Sequence, residues 1–176
     1  MRARIGLILA AILAAQAVTP ARAQPSDTAV KAAFLPRFAR YVNWPPAAAP
    51  KSDEPFVLCV IGSDRFGRTL DNGVTSQNVD GRRIVVRRLD TADSSELCHV
   101  AFVQGSRLHS VGQMLGAIGR QPVLTVTDAS NGRQRGIIHF AIVGGRVRFF
   151  IDQAAAQQRG LNISSRLLAL AMGVKQ

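Results

Sequence analysis

The sequence predicts a single α/β domain whose mostly parallel sheet of five to six strands has helices on both faces and an antiparallel hairpin at its edge. Three observations predict this fold. Beyond an amino-terminal segment of 23 residues, 153 residues (176 minus 23) remain, which is the size of one domain. Apolar runs alternate with amphipathic stretches, as in strands buried between helices. Gly144 and Gly145 separate two strand-like runs and indicate a tight hairpin.

The first helix is predicted to begin at Asp27, which is a suitable N-cap residue. Pro36 interrupts the helical pattern, and we expect it to kink the helix or to restart it near Leu35. The segment Trp44-Pro45-Pro46 ends the helix. The apolar residues that recur at four-residue steps, and so define one helical face, are Val30, Phe34, Phe38 and Val42.

The later elements alternate between strand and helix. We predict strands at FVLCVIG (56–62), RRIVVRRL (82–89), CHVAFVQGS (98–106), PVLTVTD (122–128) and the two arms of GIIHFAIVGGRVRFFID (136–152). We predict helices at SDRFGRTLDNG (63–73), opened by Ser63 or Asp64, at RLHSVGQMLGAIGRQ (107–121) and at QAAAQQRGLNISSRLLALAMGV (153–174). We expect the last helix to break near Gly160 and to resume after Ser164 or Ser165.

Residues 1–23 are interpreted as a cleaved secretory signal peptide. Arg2 and Arg4 give it a basic start, an uncharged apolar run follows from Ile5 to about Val18, and Ala21-Arg22-Ala23 has the small-x-small pattern of a cleavage site. An uncleaved membrane anchor is the less favoured alternative, because the apolar run is shorter than the roughly 20 residues that span a bilayer. Residues 24–176 are therefore predicted to form one exported domain.

Residues 24–176 keep 19 of the 22 basic residues and all 11 acidic residues, which gives a net charge of about +8 (19 minus 11). In an exported protein, this charge favours anionic lipid, cell-wall polymers or acidic protein surfaces as partners. A GC-rich genome, which favours alanine and arginine, explains the composition equally well. The segment GRRIVVRRL has strand periodicity and no interleaved aromatic residues, so we predict no nucleic-acid binding.

The sequence contains no pattern that predicts catalysis. His99, His109 and His139 stand alone, and none has a partner at metal-ligand spacing. No Gly-x-Ser-x-Gly nucleophile motif, dinucleotide fingerprint or P-loop is present. The turn in VIGSDRFG is interpreted as an ordinary strand-to-helix connection. We therefore predict that the protein is not an enzyme and has no metal site and no cofactor.

Cys59 and Cys98 are the two cysteines of the chain. An even number in an exported chain favours a disulfide, which would stabilise the fold by roughly 3 to 4 kcal/mol. If the two strands end together at Gly62 and Gln104, Cys59 lies opposite Ala101 and about 10 Å from Cys98, beyond the roughly 7 Å that a disulfide spans. A bulge or a shifted register would then be needed. Two buried free thiols and an intermolecular bond remain alternatives.

Three segments together resemble the YfiR family of small bacterial periplasmic proteins, and the similarity covers nearly all of residues 24–176. The segments are AAFLPRFARYVNWP at the start, FVLCVIGSDRFGRTL with GRRIVVRRL and CHVAFV in the middle, and VRFFIDQAAAQQRGLNISSRLLALA at the end. Pro36 departs from the aromatic or helix-compatible residue that is usual in the family. Phe150-Ile151-Asp152 replaces the commoner acidic-Ile-Asn.

The resemblance implies a regulatory role. Members of the family are periplasmic repressors that bind the extracytoplasmic sensor region of an inner-membrane diguanylate cyclase and so lower cyclic di-GMP and biofilm formation. The resemblance implies that residues 24–176 are a YfiR-like periplasmic domain, peripheral to the membrane and without nucleic-acid partners. A homodimer is one possible assembly. The family brings no catalytic residues, and its two strand cysteines match Cys59 and Cys98, as a permanent staple or as a redox-responsive pair.

The partner surface is predicted along the last strand and beyond it. Its candidate residues are Arg146, Arg148, Phe150 and Asp152, followed by Arg159 and Arg166. Alternating strand arginines are also common on solvated faces that bind nothing. The alternative function is a periplasmic small-ligand sensor that binds its ligand in the crevice at the carboxyl ends of the strands.

Overall fold

The structure, a computed structural model, describes residues 24–92 and 98–176. The predicted signal peptide lies outside the described residues. The helices are α1 (Asp27–Ala39), α2 (Arg68–Thr75), α3 (Val111–Ile118), α4 (Gln153–Gln157) and α5 (Ser165–Leu170). The strands are β1 (Val42–Asn43), β2 (Phe56–Ile61), β3 (Asn78–Val79), β4 (Arg82–Leu89), β5 (Val100–Val103), β6 (Leu124–Asp128), β7 (Ile138–Val143), β8 (Arg146–Asp152), β9 (Asn162–Ile163) and β10 (Gly173–Lys175).

The main sheet of the described chain has eight strands in the order β10-β8-β7-β6-β5-β2-β4-β3, so the predicted number of five to six is wrong. Most neighbours are parallel, as predicted, and β7 and β8 form the expected antiparallel hairpin. The hairpin is not at the edge, because β10 pairs in parallel with the outer side of β8. Strands β1 and β9 form a separate antiparallel pair.

Helices cover both faces of the sheet, as predicted. One core cluster contains Leu35 and Phe38 from α1, Leu70 from α2 and Leu167 from α5. A second cluster lies on the opposite face, where Met114 and other residues of α3 pack on β2 and β5. Successive residues of β2 alternate between the two clusters, because side chains of a strand point to opposite faces. The strand is therefore completely buried.

Helix α1 differs from the prediction at its start, at Pro36 and at its end, since it ends at Ala39 and the strand β1 precedes Trp44. Its N-cap is Ser26, whose hydroxyl accepts a hydrogen bond of 3.2 Å from the Ala29 amide, while Asp27 is the first helical residue. The helix continues through Pro36 without a restart. Pro36 lacks one amide donor, but it is buried in the face that packs on the sheet, where tertiary contacts outweigh helix propensity.

Helix α2 begins at Arg68, later than the predicted Ser63 or Asp64. The Asp64 carboxylate instead accepts hydrogen bonds from the Phe66 and Gly67 amides at 2.7 and 3.2 Å. The Asp64 side chain therefore forms an Asx-turn before the helix. Aspartate commonly adopts such a turn instead of acting as an N-cap.

The carboxyl-terminal segment contains two helices and two short strands. The chain breaks at Gly160, which has a positive φ of 71°, and α5 resumes with Ser164 as its N-cap, both as predicted. The strands β9 and β10 were not predicted. Strand β9 pairs with β1 just beyond α1, and β10 adds the edge strand beside β8. Strand β10 is thus the edge of the sheet on the β8 side.

Cys59 and Cys98 form a disulfide with a Cα–Cα distance of 5.8 Å. Cys59 pairs with Ala101 in the parallel register that we expected. The expected separation of about 10 Å is wrong, because Cys98 precedes β5 instead of lying on it, and the His99 amide donates to the Val57 carbonyl at 2.9 Å. Both cysteines are buried in the second core cluster.

Candidate functional site

Four of the six residues predicted to bind a partner lie on one face of β8. Arg146, Arg148, Phe150 and Asp152 occupy alternate positions of this strand and so point to the same side of the sheet. Arg146 and Arg148 are exposed, while Phe150 and Asp152 are half-buried. Their side is opposite to the first core cluster, which contains Phe149 and Ile151. We call this surface the β8 face.

The neighbouring strands continue the β8 face on both sides. Phe150 pairs with His139 on β7 and with Gly173 on β10, so these three residues form one row across the sheet. A Cβ atom at Gly173 would lie 3.2 Å from the Phe150 ring, so glycine is the residue that lets the ring lie over β10. Asp152 is next to Lys175 in the following row.

A cavity of about 250 Å³ opens on the β8 face at these two rows. The residues that give it chemical character are Arg135, His139, Phe150, Asp152 and Lys175. Sequence reasoning missed Arg135, His139 and Lys175 as members of a site. The pairing of His139 with Phe150 follows from counting residues back from the Gly144-Gly145 turn, whereas Lys175 belongs to an unpredicted strand.

The cavity contains more positive than negative charge. The Arg135 guanidinium carbon lies 5.7 Å from the centre of the Phe150 ring, within the range of a cation–π contact. The Lys175 ammonium donates to the Asp152 carboxylate at 2.9 Å, and the other oxygen of that carboxylate caps α4 by accepting from the Ala155 amide at 2.8 Å. Burial alone would raise the pKa of Asp152, but these hydrogen bonds outweigh it and lower its pKa.

His139 is 4% exposed and forms part of the cavity wall. Its Nδ1 atom lies 2.9 Å from the hydroxyl of Thr127 on β6, which also accepts a hydrogen bond from the Gly136 amide at 2.8 Å. Burial lowers the pKa of His139, and the nearby Arg135 lowers it further, so the imidazole is neutral at pH 7. Nε2 is the ring nitrogen that remains for the cavity.

Arg159 and Arg166 lie outside this group. The Arg159 guanidinium donates to the Gly119 carbonyl at 3.1 Å and to the Ala155 carbonyl at 3.0 Å. It therefore joins the end of α3 to α4 and helps to hold the fold. Arg166 is exposed on α5, whose N-cap is Ser164.

The crevice at the carboxyl ends of the strands, where a small-ligand site was the alternative prediction, is nearly filled. Its cavity measures about 40 Å³. Lys31 of α1 forms an ion pair there with Asp128 at the end of β6, and both side chains are buried. Gln104, after β5, is buried beside them. A space of this size holds only a few water molecules.

A further cavity of about 160 Å³ lies beside Trp44 and Phe56 at the opposite end of β2. His99 stacks on Phe56, with 4.7 Å between the ring centres, and its Nδ1 atom accepts from the Val57 amide at 3.0 Å. Burial lowers the pKa of His99, which therefore stays neutral at pH 7. These contacts describe a packed aromatic cluster.

The three histidines do not come together with each other. His109 precedes α3 and does not lie on it, which corrects the predicted helical position. Among residues 24–92 and 98–176, no group of three or more His, Cys, Asp or Glu side chains is arranged to hold a metal ion. No helix in this part of the chain has the length and apolar character needed to cross a membrane.

On the basic strand β4, the Arg88 guanidinium is paired with acidic side chains of the same chain. Arg88 donates to Asp64 at 2.7 Å and to both carboxylate oxygens of Asp71 at 3.0 Å. These contacts use the fork of the guanidinium within the fold. The β8 face, with its cavity of about 250 Å³, is therefore the stronger candidate for recognition of another molecule.

A comparison with protein families supports the sequence resemblance. A family model described as YfiR/HmsC-like matches residues 28–172, which is more than half of the chain.

Proposed function

The chain belongs to the YfiR/HmsC-like family, and from this premise we propose that it is a periplasmic regulatory protein that binds the extracytoplasmic part of an inner-membrane diguanylate cyclase and represses cyclic di-GMP production. The family match carries the proposal. Binding can repress a membrane enzyme only if the bound form favours the inactive state, so the contact must discriminate between two conformations of the cyclase.

The β8 face supports a partner surface on this protein. It combines two exposed arginines with the half-buried Phe150 ring, a mixture that is enriched at protein interfaces. The positive charge of the β8 face suits an acidic partner surface. Such complementary charges would increase the association rate.

The test is the concentration of intracellular cyclic di-GMP in the native host with and without the gene. We expect deletion to raise the cyclic di-GMP concentration and reintroduction of the unmodified gene to return it to the original level. A variant with Arg146→Glu and Arg148→Glu should leave cyclic di-GMP high at normal abundance, because it reverses the charge of the β8 face without touching the core. The matched control carries Arg37→Glu and Arg83→Glu, two exposed arginines on α1 and β4, and should restore repression.

No change of cyclic di-GMP on deletion, under several growth conditions, would contradict repression. Equal repression by the variant and its control would contradict the β8 face as the partner surface. Immunoblots of the periplasmic fraction separate lost contact from lost abundance and also test the proposed location.

The cavity of about 250 Å³ on the β8 face favours a second candidate function, a periplasmic small-ligand sensor. This function predicts that a ligand raises the melting temperature of the isolated protein, because binding to the folded state alone stabilises it. A regulator that contacts only a protein partner would show no such increase.

A further inference from the structure

We propose that the cavity on the β8 face is a carboxylate-binding site in which Arg135, His139 and Lys175 contact the carboxylate and Phe150 forms the apolar wall. The carboxylate comes either from an acidic side chain of a protein partner or from a free monocarboxylate. Only the first source rests on the proposed function. The site itself is a property of this chain.

The sheet register brings the required groups to one place. His139, Phe150 and Gly173 form a row across three strands, and Lys175 lies two residues beyond Gly173 on the same side of β10. Arg135, which precedes β7, reaches over the Phe150 ring. The three basic groups therefore surround the cavity from β7, β10 and the segment before β7.

The hydrogen-bonding state of these groups favours an acceptor as ligand. The Nδ1 atom of His139 faces Thr127, so the Nε2–H group is available as a donor when the Thr127 hydroxyl donates to Nδ1. The other acceptor within reach of that hydroxyl, the Ile138 carbonyl, is farther away at 3.5 Å. Both oxygens of Asp152 already accept hydrogen bonds, so its negative charge is partly compensated. A bound carboxylate would accept hydrogen bonds from these donor groups and would balance the positive charge that Asp152 leaves uncompensated.

The volume of the cavity suits a small ligand group. A cavity of about 150 Å³ can hold a benzene ring, so the 250 Å³ here accommodate a carboxylate with a short apolar or aromatic body. The Phe150 ring provides a flat wall for that body. The planar fork of Arg135 can bind both carboxylate oxygens, which a lysine alone would not do.

The test is a titration of the isolated, untagged chain with benzoate, acetate, benzyl alcohol and inorganic phosphate, followed by the NMR signals of the histidine rings. The chain has three histidines, so His99 and His109 serve as internal controls. His139→Asn assigns the His139 signals. We expect benzoate and acetate to shift the His139 signals saturably, benzyl alcohol to leave them unchanged, and phosphate to bind more weakly than acetate.

Variants test the contacts. Arg135→Gln and Lys175→Gln should each weaken benzoate binding by about tenfold, the usual size of a lost charge-assisted hydrogen bond. The matched control is Arg133→Gln, which removes the same charge from an exposed arginine that does not line the cavity, and should bind benzoate like the unmodified chain.

The proposal is overturned if carboxylates do not shift the His139 signals, if benzyl alcohol shifts them as strongly as benzoate, if phosphate binds more tightly than acetate, or if Arg133→Gln weakens binding as much as Arg135→Gln. These outcomes do not depend on a cyclase. Failure of the titration therefore leaves the cyclic di-GMP test unaffected, and the reverse also holds.

A second arm distinguishes the two sources. A capped peptide with a central glutamate, compared with its glutamine counterpart, tests a side-chain carboxylate. Tighter binding of the glutamate peptide than of acetate supports a partner side chain. Tighter binding of acetate supports a free monocarboxylate.

Discussion

Lys31 and Asp128 form a buried ion pair that connects α1 to the end of β6. Asp128 also accepts a hydrogen bond from the Ser130 amide at 2.9 Å. Burial would raise the pKa of Asp128, but Lys31 and Ser130 outweigh it and hold its pKa below the ordinary value of 3.8. The ionised carboxylate therefore stabilises the folded state at neutral pH.

We expect Asp128→Asn to lower the free energy of unfolding by about 3 to 5 kcal/mol at pH 7, because it leaves the Lys31 charge buried without a partner. Urea unfolding measures this change. The double variant Lys31→Met with Asp128→Asn is the control and should lose less stability, since it removes the uncompensated charge. Equal losses would show that the charge of Lys31 is not the cause.

The same pair predicts a dependence on acid. A carboxylate with a depressed folded-state pKa stabilises the protein above its unfolded-state pKa, and this contribution is lost as the pH falls below 3.8 toward the folded-state pKa. The free energy of unfolding should therefore fall more steeply with acid in the unmodified protein than in Asp128→Asn. Parallel acid profiles for the two proteins would contradict this prediction.

At the scale of the elements, the disulfide connects a residue two positions before β5 to the centre of the sheet. Cys59 lies within β2, and Cys98 precedes β5, 39 positions further along the sequence. Cys59 has no exposed surface and Cys98 is 7% exposed. Reductants in solution therefore reach the bond mainly when the protein opens, which favours a structural staple over a redox sensor.

We expect Cys59→Ser with Cys98→Ser to lower the free energy of unfolding by about 3 to 4 kcal/mol, through the larger conformational freedom of the unfolded chain. Urea unfolding with and without reductant measures it. The disulfide should stay oxidised for hours when reductant is added to the folded protein, but should be reduced when the protein is unfolded in urea. Rapid reduction in native buffer would instead support a regulatory thiol pair.

The crossing from β2 to the following loop depends on a glycine. Gly62 has a φ of +87°, and a Cβ atom there would lie 2.2 Å from the Gln104 carbonyl oxygen. We expect Gly62→Ala to destabilise the protein by at least about 2 kcal/mol in thermal unfolding, because both the backbone strain and the clash must be relieved. Gly73→Ala is the control: it lies in α2 with open space around its Cβ position and should stabilise by about 0.5 to 1 kcal/mol.

The elements also show what sequence reasoning can and cannot reach. The long apolar runs predicted the central strands and the Gly144-Gly145 turn predicted the hairpin, since each is a strong local signal. Strands β9 and β10 have two and three residues, too short for any periodic signal. The cavity could not be predicted for the same reason, because β10 contributes Lys175. The approach of Cys98 to within disulfide distance of Cys59 likewise leaves no pattern in the sequence.

At the scale of the whole molecule, one sheet separates two core clusters. Leu58 and Val60 of β2 belong to the first cluster, while Val57, Cys59 and the rest of that strand's opposite face belong to the second. Because β2 contributes side chains to both clusters, its detachment would expose apolar residues of both. The two cores should therefore form and unfold together.

We expect a single cooperative unfolding transition. Trp44 packs against the first cluster and is the only tryptophan, so its fluorescence reports on that side, whereas far-ultraviolet circular dichroism reports on the whole chain. The two signals should give the same midpoint in urea. Separate midpoints would show that the clusters unfold independently.

The positions of these groups along the chain also allow an order of assembly. The disulfide requires only the chain up to Cys98, whereas the cavity on the β8 face requires Arg135 and, at the far end, Lys175. The disulfide can therefore form before the chain segment that completes the cavity has folded. A chain truncated before β10 can be oxidised and compact at β2 and β5 and yet lack the complete cavity.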